Sequence, residues 1–157
     1  VALTQLSANL SATAIGNGTS GSWSYGQDRS DLCGDLLAIY AHKPAGLSFD
    51  KCEVKSGQVL VEATYSVSGK ESKAVEDFLV EFYRMGKLRW VCCGWESRAG
   101  GFNHKTLLQI DPYLSGIVSM YGSGEVFDPN DPKKYIGLEA NREEIPYFYV
   151  TVELVRV

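Results

Sequence analysis

The chain of 157 residues predicts an α+β fold, a mostly antiparallel sheet of five to six strands with two helices packed on one face. Two observations carry this. Two stretches space their apolar residues as helices do, and each ends at a helix-stopping residue. Several others alternate apolar with polar residues, as half-buried strands do. The order is helix, strand, strand, helix, then three or four strands.

Taken in order, the first helix is capped by Ser30 or Asp31, and Cys33, Leu36, Leu37 and Tyr40 share one face. Pro44 and Gly46 end it. A strand follows in which Cys52 and Val54 oppose Glu53 and Lys55, with Ser56-Gly57 as the turn. In the next, Val59, Val61, Ala63, Tyr65 and Val67 alternate with Glu62, Thr64 and Ser66. The second helix opens on the capping-box pair Ser68 and Glu71. Val75, Phe78, Leu79 and Phe82 form its apolar stripe, Glu76, Asp77 and Glu81 face outward, and Gly86 serves as the C′ residue. Leu88 to Trp95 reads as one strand, which would send Cys92 and Cys93 to opposite faces. Further strands are expected at Thr106 to Ile110, Leu114 to Tyr121 and Tyr147 to Val157. The stretch from Gly122 to Pro146 is turn-rich and reads as a long surface loop.

Length and composition suit a single domain over 31–157, preceded by a flexible Ser/Gly-rich segment over 1–30. From Val1 to Tyr25 there is no Lys, Arg, Asp or Glu, as in a spacer behind a removed signal peptide. Asn9 and Asn17 stand in glycosylation sequons, which matter only in a eukaryotic source. A formal net charge of -4 and the lack of a Lys/Arg stripe argue against nucleic acid or an anionic membrane as partner. No apolar run is long enough to span a bilayer.

The four cysteines Cys33, Cys52, Cys92 and Cys93 form no CxxC and no zinc-site spacing. Two disulfides are expected, the alternative being four buried free thiols that pack as small hydrophobes. Because a bond between neighbours is strained, two connectivities remain open: Cys33–Cys92 with Cys52–Cys93, or Cys33–Cys93 with Cys52–Cys92.

Leu32-Cys33-Gly34-Asp35, Phe49-Asp50-Lys51-Cys52, Leu88-Arg89-Trp90-Val91-Cys92-Cys93-Gly94-Trp95-Glu96 and Ile145-Pro146-Tyr147-Phe148-Tyr149-Val150 together resemble a family of small exported bacterial proteins of unknown function. Cys-Cys-Gly-Trp-Glu is the most specific string, and the resemblance extends over residues 31–157. It implies a periplasmic or secreted setting and no particular activity. Small disulfide-bonded periplasmic proteins include immunity proteins, an analogy of class only.

Catalytic chemistry is thinly supported. Cys92 or Cys93 with His104 and Glu96 is the one nucleophile sketch available, and oxidised cysteines would remove its thiolate. His42 and His104 lack ligand spacing, and Asp128, Asn130 and Asp131 lack the EF-hand pattern, so no metal, cofactor or catalytic residue is assigned. The expected binding residues are Trp95, Glu96, Arg98, Phe102 and His104, in a segment that Gly100-Gly101 lets bend. It reads either as a protruding loop that plugs a partner or as a hairpin whose Trp95 and Phe102 fold back on the core. A second candidate surface is the last strand, where Tyr147, Tyr149 and Thr151 share a face. The leading functional expectation is a periplasmic or secreted protein that binds another protein, as an inhibitor or immunity factor. The alternatives are a small cell-envelope hydrolase and a carrier of a small apolar ligand.

Overall fold

The computed structural model describes residues 28–157. The segment 1–27, with the expected spacer and the two sequons, lies outside them. A 3-10 turn, Arg29–Leu32, leads into α1 (Leu36–Tyr40), β1 (Ser48–Val54), β2 (Val59–Ser68) and α2 (Ser72–Tyr83). Next come three short strands, β3 (Arg89–Val91), β4 (Gly94–Glu96) and β5 (Gly100–Phe102), and α3 (Lys105–Ile110). The chain closes with β6 (Leu114–Ser123), β7 (Glu125–Asp128), β8 (Asp131–Leu138) and β9 (Tyr147–Arg156).

The fold is α+β, as expected. Its main sheet is antiparallel, seven-stranded and ordered β1-β2-β9-β6-β4-β3, with β5 also on β6, and β7–β8 form a separate two-stranded sheet. The strand number exceeds the expectation because β3, β4 and β5 are three residues each, too short to show alternation.

Alternation on the three long strands makes the core. Val61, Ala63, Tyr65 and Val67 of β2 face the helices beside Phe148, Val150, Val152 and Leu154 of β9 and Leu114, Val118 and Met120 of β6, all buried. Leu36, Leu37 and Tyr40 of α1 and Val75, Leu79 and Tyr83 of α2 pack into the same cluster. Side chains as large as Phe148 fit because Gly122 beneath its ring carries no Cβ, which would stand 2.6 Å from a ring carbon. Asp35, rather than Ser30 or Asp31, caps α1: its Oδ1 accepts from Ala38 N–H at 3.2 Å and from the buried Tyr65 hydroxyl at 2.8 Å. Burial alone would raise the Asp35 carboxyl, but hydrogen bonds from Lys43, Tyr65 and Ala38 outweigh it and hold the group below its ordinary value.

Several local expectations are corrected. Leu88 to Trp95 is not one strand: Cys92 and Cys93 form the two-residue turn of the β3–β4 hairpin, with Cys92 at φ 54°. Thr106 to Ile110 is not a strand but α3, begun by His104 Nδ1 accepting from Thr106 N–H at 3.4 Å. A five-residue stretch around two leucines suits either element, and here the cap decides. The stretch from Gly122 to Pro146 contains the β7–β8 hairpin, whose tip is the Asp-Pro-Asn-Asp-Pro run. The left-handed residue ending α2 is Arg84, not Gly86. In α2, Phe82 leaves the apolar stripe and is 53% exposed, while Glu76 turns inward. Arg142 supplies the reason, donating to Glu76 Oε2 at 2.6 Å and to Ser72 Oγ at 3.1 Å. The Ser68–Glu71 pair does form, one turn ahead of the helix proper.

All four cysteines are bonded, but neither expected connectivity occurs: the bridges are Cys33–Cys52 and Cys92–Cys93. The sheet order explains this. β1 and β3 lie at opposite edges of the main sheet. Five strand spacings of about 4.8 Å separate them by roughly 24 Å, whereas a disulfide bridges Cα atoms within about 7 Å. Cys33 instead meets Cys52 across the near edge, at a Cα separation of 5.7 Å.

Candidate functional site

Helices cover one face of the sheet, and no described element covers the other. On this open face the alternate residues of β2, β9 and β6 are mostly hydroxyl-bearing or acidic: Thr64 and Ser66, Tyr149 and Thr151, Ser119 and Tyr121, with Glu62 and Glu153 toward one end and the apolar Ile117 opposite Glu153. The register sets Ser66, Tyr149, Tyr121 and Glu96 side by side across four strands. The Tyr121 and Tyr149 rings lie 5.6 Å apart, tilted by 30°. Tyr121 is 43% and Tyr147 57% exposed. Burial, then the neighbouring Tyr149, pushes the Tyr121 hydroxyl up, so it stays a protonated donor. Ser119 and Thr151 share a hydrogen bond of 2.8 Å.

Two acids end this surface. Glu62 and Glu153 are directly opposed on β2 and β9. Burial, and then hydrogen bonding to Glu62, raises the Glu153 carboxyl, while Lys55 opposes the rise. Lys55 is itself held between Glu53 and Glu62, at 3.3 and 3.5 Å.

The structure does not gather the five expected binding residues into one site. Trp95 and Phe102 turn to the helix-covered side and pack half-buried on the core. Trp95 contacts Trp90 at 5.8 Å, donates from Nε1 to Ala140 O at 3.2 Å, and lies under the Arg142 guanidinium. Phe102 packs on Tyr83 and lies flat over Gly116, where a Cβ would stand 2.2 Å from the ring. Glu96 is exposed and paired with Tyr121, so it belongs to the open face. Arg98 is exposed between β4 and β5, and its carbonyl accepts from Gly86 N–H at 2.9 Å. His104 stands apart, against His42 at 5.7 Å.

At one corner of the open face is a depression of about 360 Å³, lined by the Cys92–Cys93 turn, Glu96, Tyr121, Ser123 and Glu125. It joins the paired cysteines to the tyrosine surface. The nucleophile sketch is not assembled. Cys92 and Cys93 are bonded to each other, and His104 lines a different depression from Glu96 and the cysteines. Tyr147, Tyr149 and Thr151 share one face as expected, and Tyr121, which the expectation did not include, joins them. Its signal was available: Tyr121 shares period 2 with Ser115, Ile117 and Ser119.

The disulfides are consistent with an extracellular, oxidising setting. Among the described residues no helix is long and apolar enough to cross a membrane. No curated protein matches the chain, and no solved structure does. The family match is narrower than residues 31–157: it starts earlier and stops at Trp95, inside the Cys-Cys-Gly-Trp-Glu string. Residues 25–95 match the model of DUF4952, a domain of unknown function, and the family resemblance holds over that span.

Proposed function

We propose that this is a periplasmic or secreted protein that binds another protein through the open face of its sheet, as an inhibitor or immunity factor would. The observation that carries the reading is the row Ser66–Tyr149–Tyr121–Glu96, set on rigid strands with nothing described above it. Tyrosine combines a large apolar ring with a hydroxyl, which is why it is enriched in protein interfaces. A sheet face fixed by its core loses little conformational freedom on binding, and that preserves affinity. A stapled scaffold suits an oxidising compartment. Trp95 acts in this reading through the fold, whereas Glu96 and Arg98 offer contacts from exposed positions.

The test uses the mature protein as immobilised bait against periplasmic and culture-supernatant proteins. Wild type is compared with the double variant Tyr121→Ala/Tyr149→Ala, and any captured protein is then purified and titrated. The expected outcome is a defined partner whose Kd rises at least about tenfold for the variant, a loss of about 1.4 kcal/mol, with Tm little changed. Equal affinity for both proteins would sink the open-face reading.

A further inference from the structure

A second cleft lies on the helix-covered side of the molecule. Its volume is about 330 Å³, and its lining includes His42 and Ala41 after α1, Phe82 and Tyr83 at the end of α2, Phe102 on β5 and His104 before α3. That volume falls at the lower end of the roughly 300–1,000 Å³ typical of small-ligand sites. The walls are rings. Phe82 stacks on Phe78 at 4.2 Å and stands 6.3 Å from His42, which meets His104 edge-on at 5.7 Å. Tyr83 and Phe102 close the floor at 5.4 Å. The chain has two histidines, far apart in sequence, and the fold brings both here.

The polar groups of the lining can donate: the Asn103 amide and the His42 and His104 rings each carry an N–H. The Tyr83 hydroxyl is occupied by the backbone of His42. His104 Nδ1 accepts from Thr106 N–H, so the neutral ring carries its proton on Nε2 and offers it as a donor. No carboxylate lines the cleft among the described residues, Glu81 included. Arg84 and Lys105, exposed neighbours in the chain of Tyr83 and His104, make no ion pair among the described residues. A half-exposed phenylalanine at a helix end is an unfavourable surface for water, and a stacked ring would cover it.

We infer that this cleft binds a small planar aromatic anion, its ring against Phe82 and its carboxylate toward the His104 side. The site is separate from the open sheet face and stands or falls independently of it.

The probe is sodium 1-naphthoate, with cyclohexanecarboxylate and 1-naphthalenemethanol as controls for ring and charge. Amide ¹H–¹⁵N shifts of the whole protein are followed up to about 5 mM ligand, where a Kd near 1 mM already fills most sites. The expected result is saturable shifts at residues 41–42 and 101–104 with naphthoate and at least about fivefold weaker binding of either control. Phe82→Ala, at an exposed position, weakens naphthoate about tenfold, and Lys105→Glu weakens it about threefold. Absence of saturation, shifts confined to the open face, or equal binding of cyclohexanecarboxylate would overturn the assignment. Wild-type affinity in Phe82→Ala with an unchanged spectrum elsewhere would do the same.

Discussion

The two faces of the sheet are made by alternate residues of the same strands. On β9, Phe148, Val150, Val152 and Leu154 are fully buried, whereas Tyr147 is 57% exposed and Tyr149 and Thr151 are half-buried. One face is apolar and interlocked with helices. The other carries hydroxyls and carboxylates, with tyrosines and Ile117 as its large apolar groups. A face made only to meet water would not require opposed Tyr121 and Tyr149 rings, and a face made only for packing would not carry the Glu62–Glu153 pair. The difference separates positions that hold the fold from positions free to serve a partner.

Substitution of adjacent residues tests that separation most sharply. Phe148→Ala is expected to cost about 3–5 kcal/mol in urea unfolding, and Tyr149→Ala about 1 kcal/mol or less. Similar losses would erase the distinction between the faces. The buried acid of α2 comes next. Glu76→Ala strands the Arg142 guanidinium, one of whose nitrogens, Nη2, already lacks a partner, and leaves Leu88 N–H without its acceptor. The expected cost is about 3 kcal/mol.

The two disulfides differ in the same way. Cys33–Cys52 joins residues 19 apart in sequence, so replacing both by serine should destabilise by about 3 kcal/mol through the freed unfolded chain. Cys92–Cys93 joins neighbours and closes no loop, so the matching serine pair should cost under about 1 kcal/mol by the same reasoning. Equal midpoints for the two double variants would contradict this.

The smallest effect belongs to Glu153. Its folded carboxyl is raised above the ordinary 4.5, so the contribution it makes is fully present below that pH and is lost as pH rises through the raised value. Glu153→Gln should therefore stabilise the protein at pH 7 relative to its effect at pH 4, by less than about 1 kcal/mol at this partly solvated site. A stability difference independent of pH would show that the carboxyl pair does not titrate as described.

The long strands β2, β6 and β9 were legible because ten residues of alternation leave little room for another period. The open tyrosine face on β9 could be read for the same reason. What stayed hidden depends on pairing between distant segments. The disulfide connectivity needs the strand order, and β1 and β3 at opposite edges is a property of the whole sheet. The inward turn of Glu76 needs Arg142, 66 residues away. The meeting of His42 with His104 joins the end of α1 to the start of α3. Trp95 and Phe102 invited a protruding-loop reading, yet each faces the covered side, because β4 and β5 are both hydrogen-bonded to β6.

Hydroxyl-radical footprinting of the isolated, dilute protein tests the central claim most directly, because it reports side-chain access residue by residue. Tyr121, Tyr147 and Tyr149 are expected to label readily, with Phe148 and Tyr65 protected alongside them. Protection of Tyr121 and Tyr149 equal to that of Tyr65 would mean that the face is already covered, and would contradict its assignment as a free binding surface.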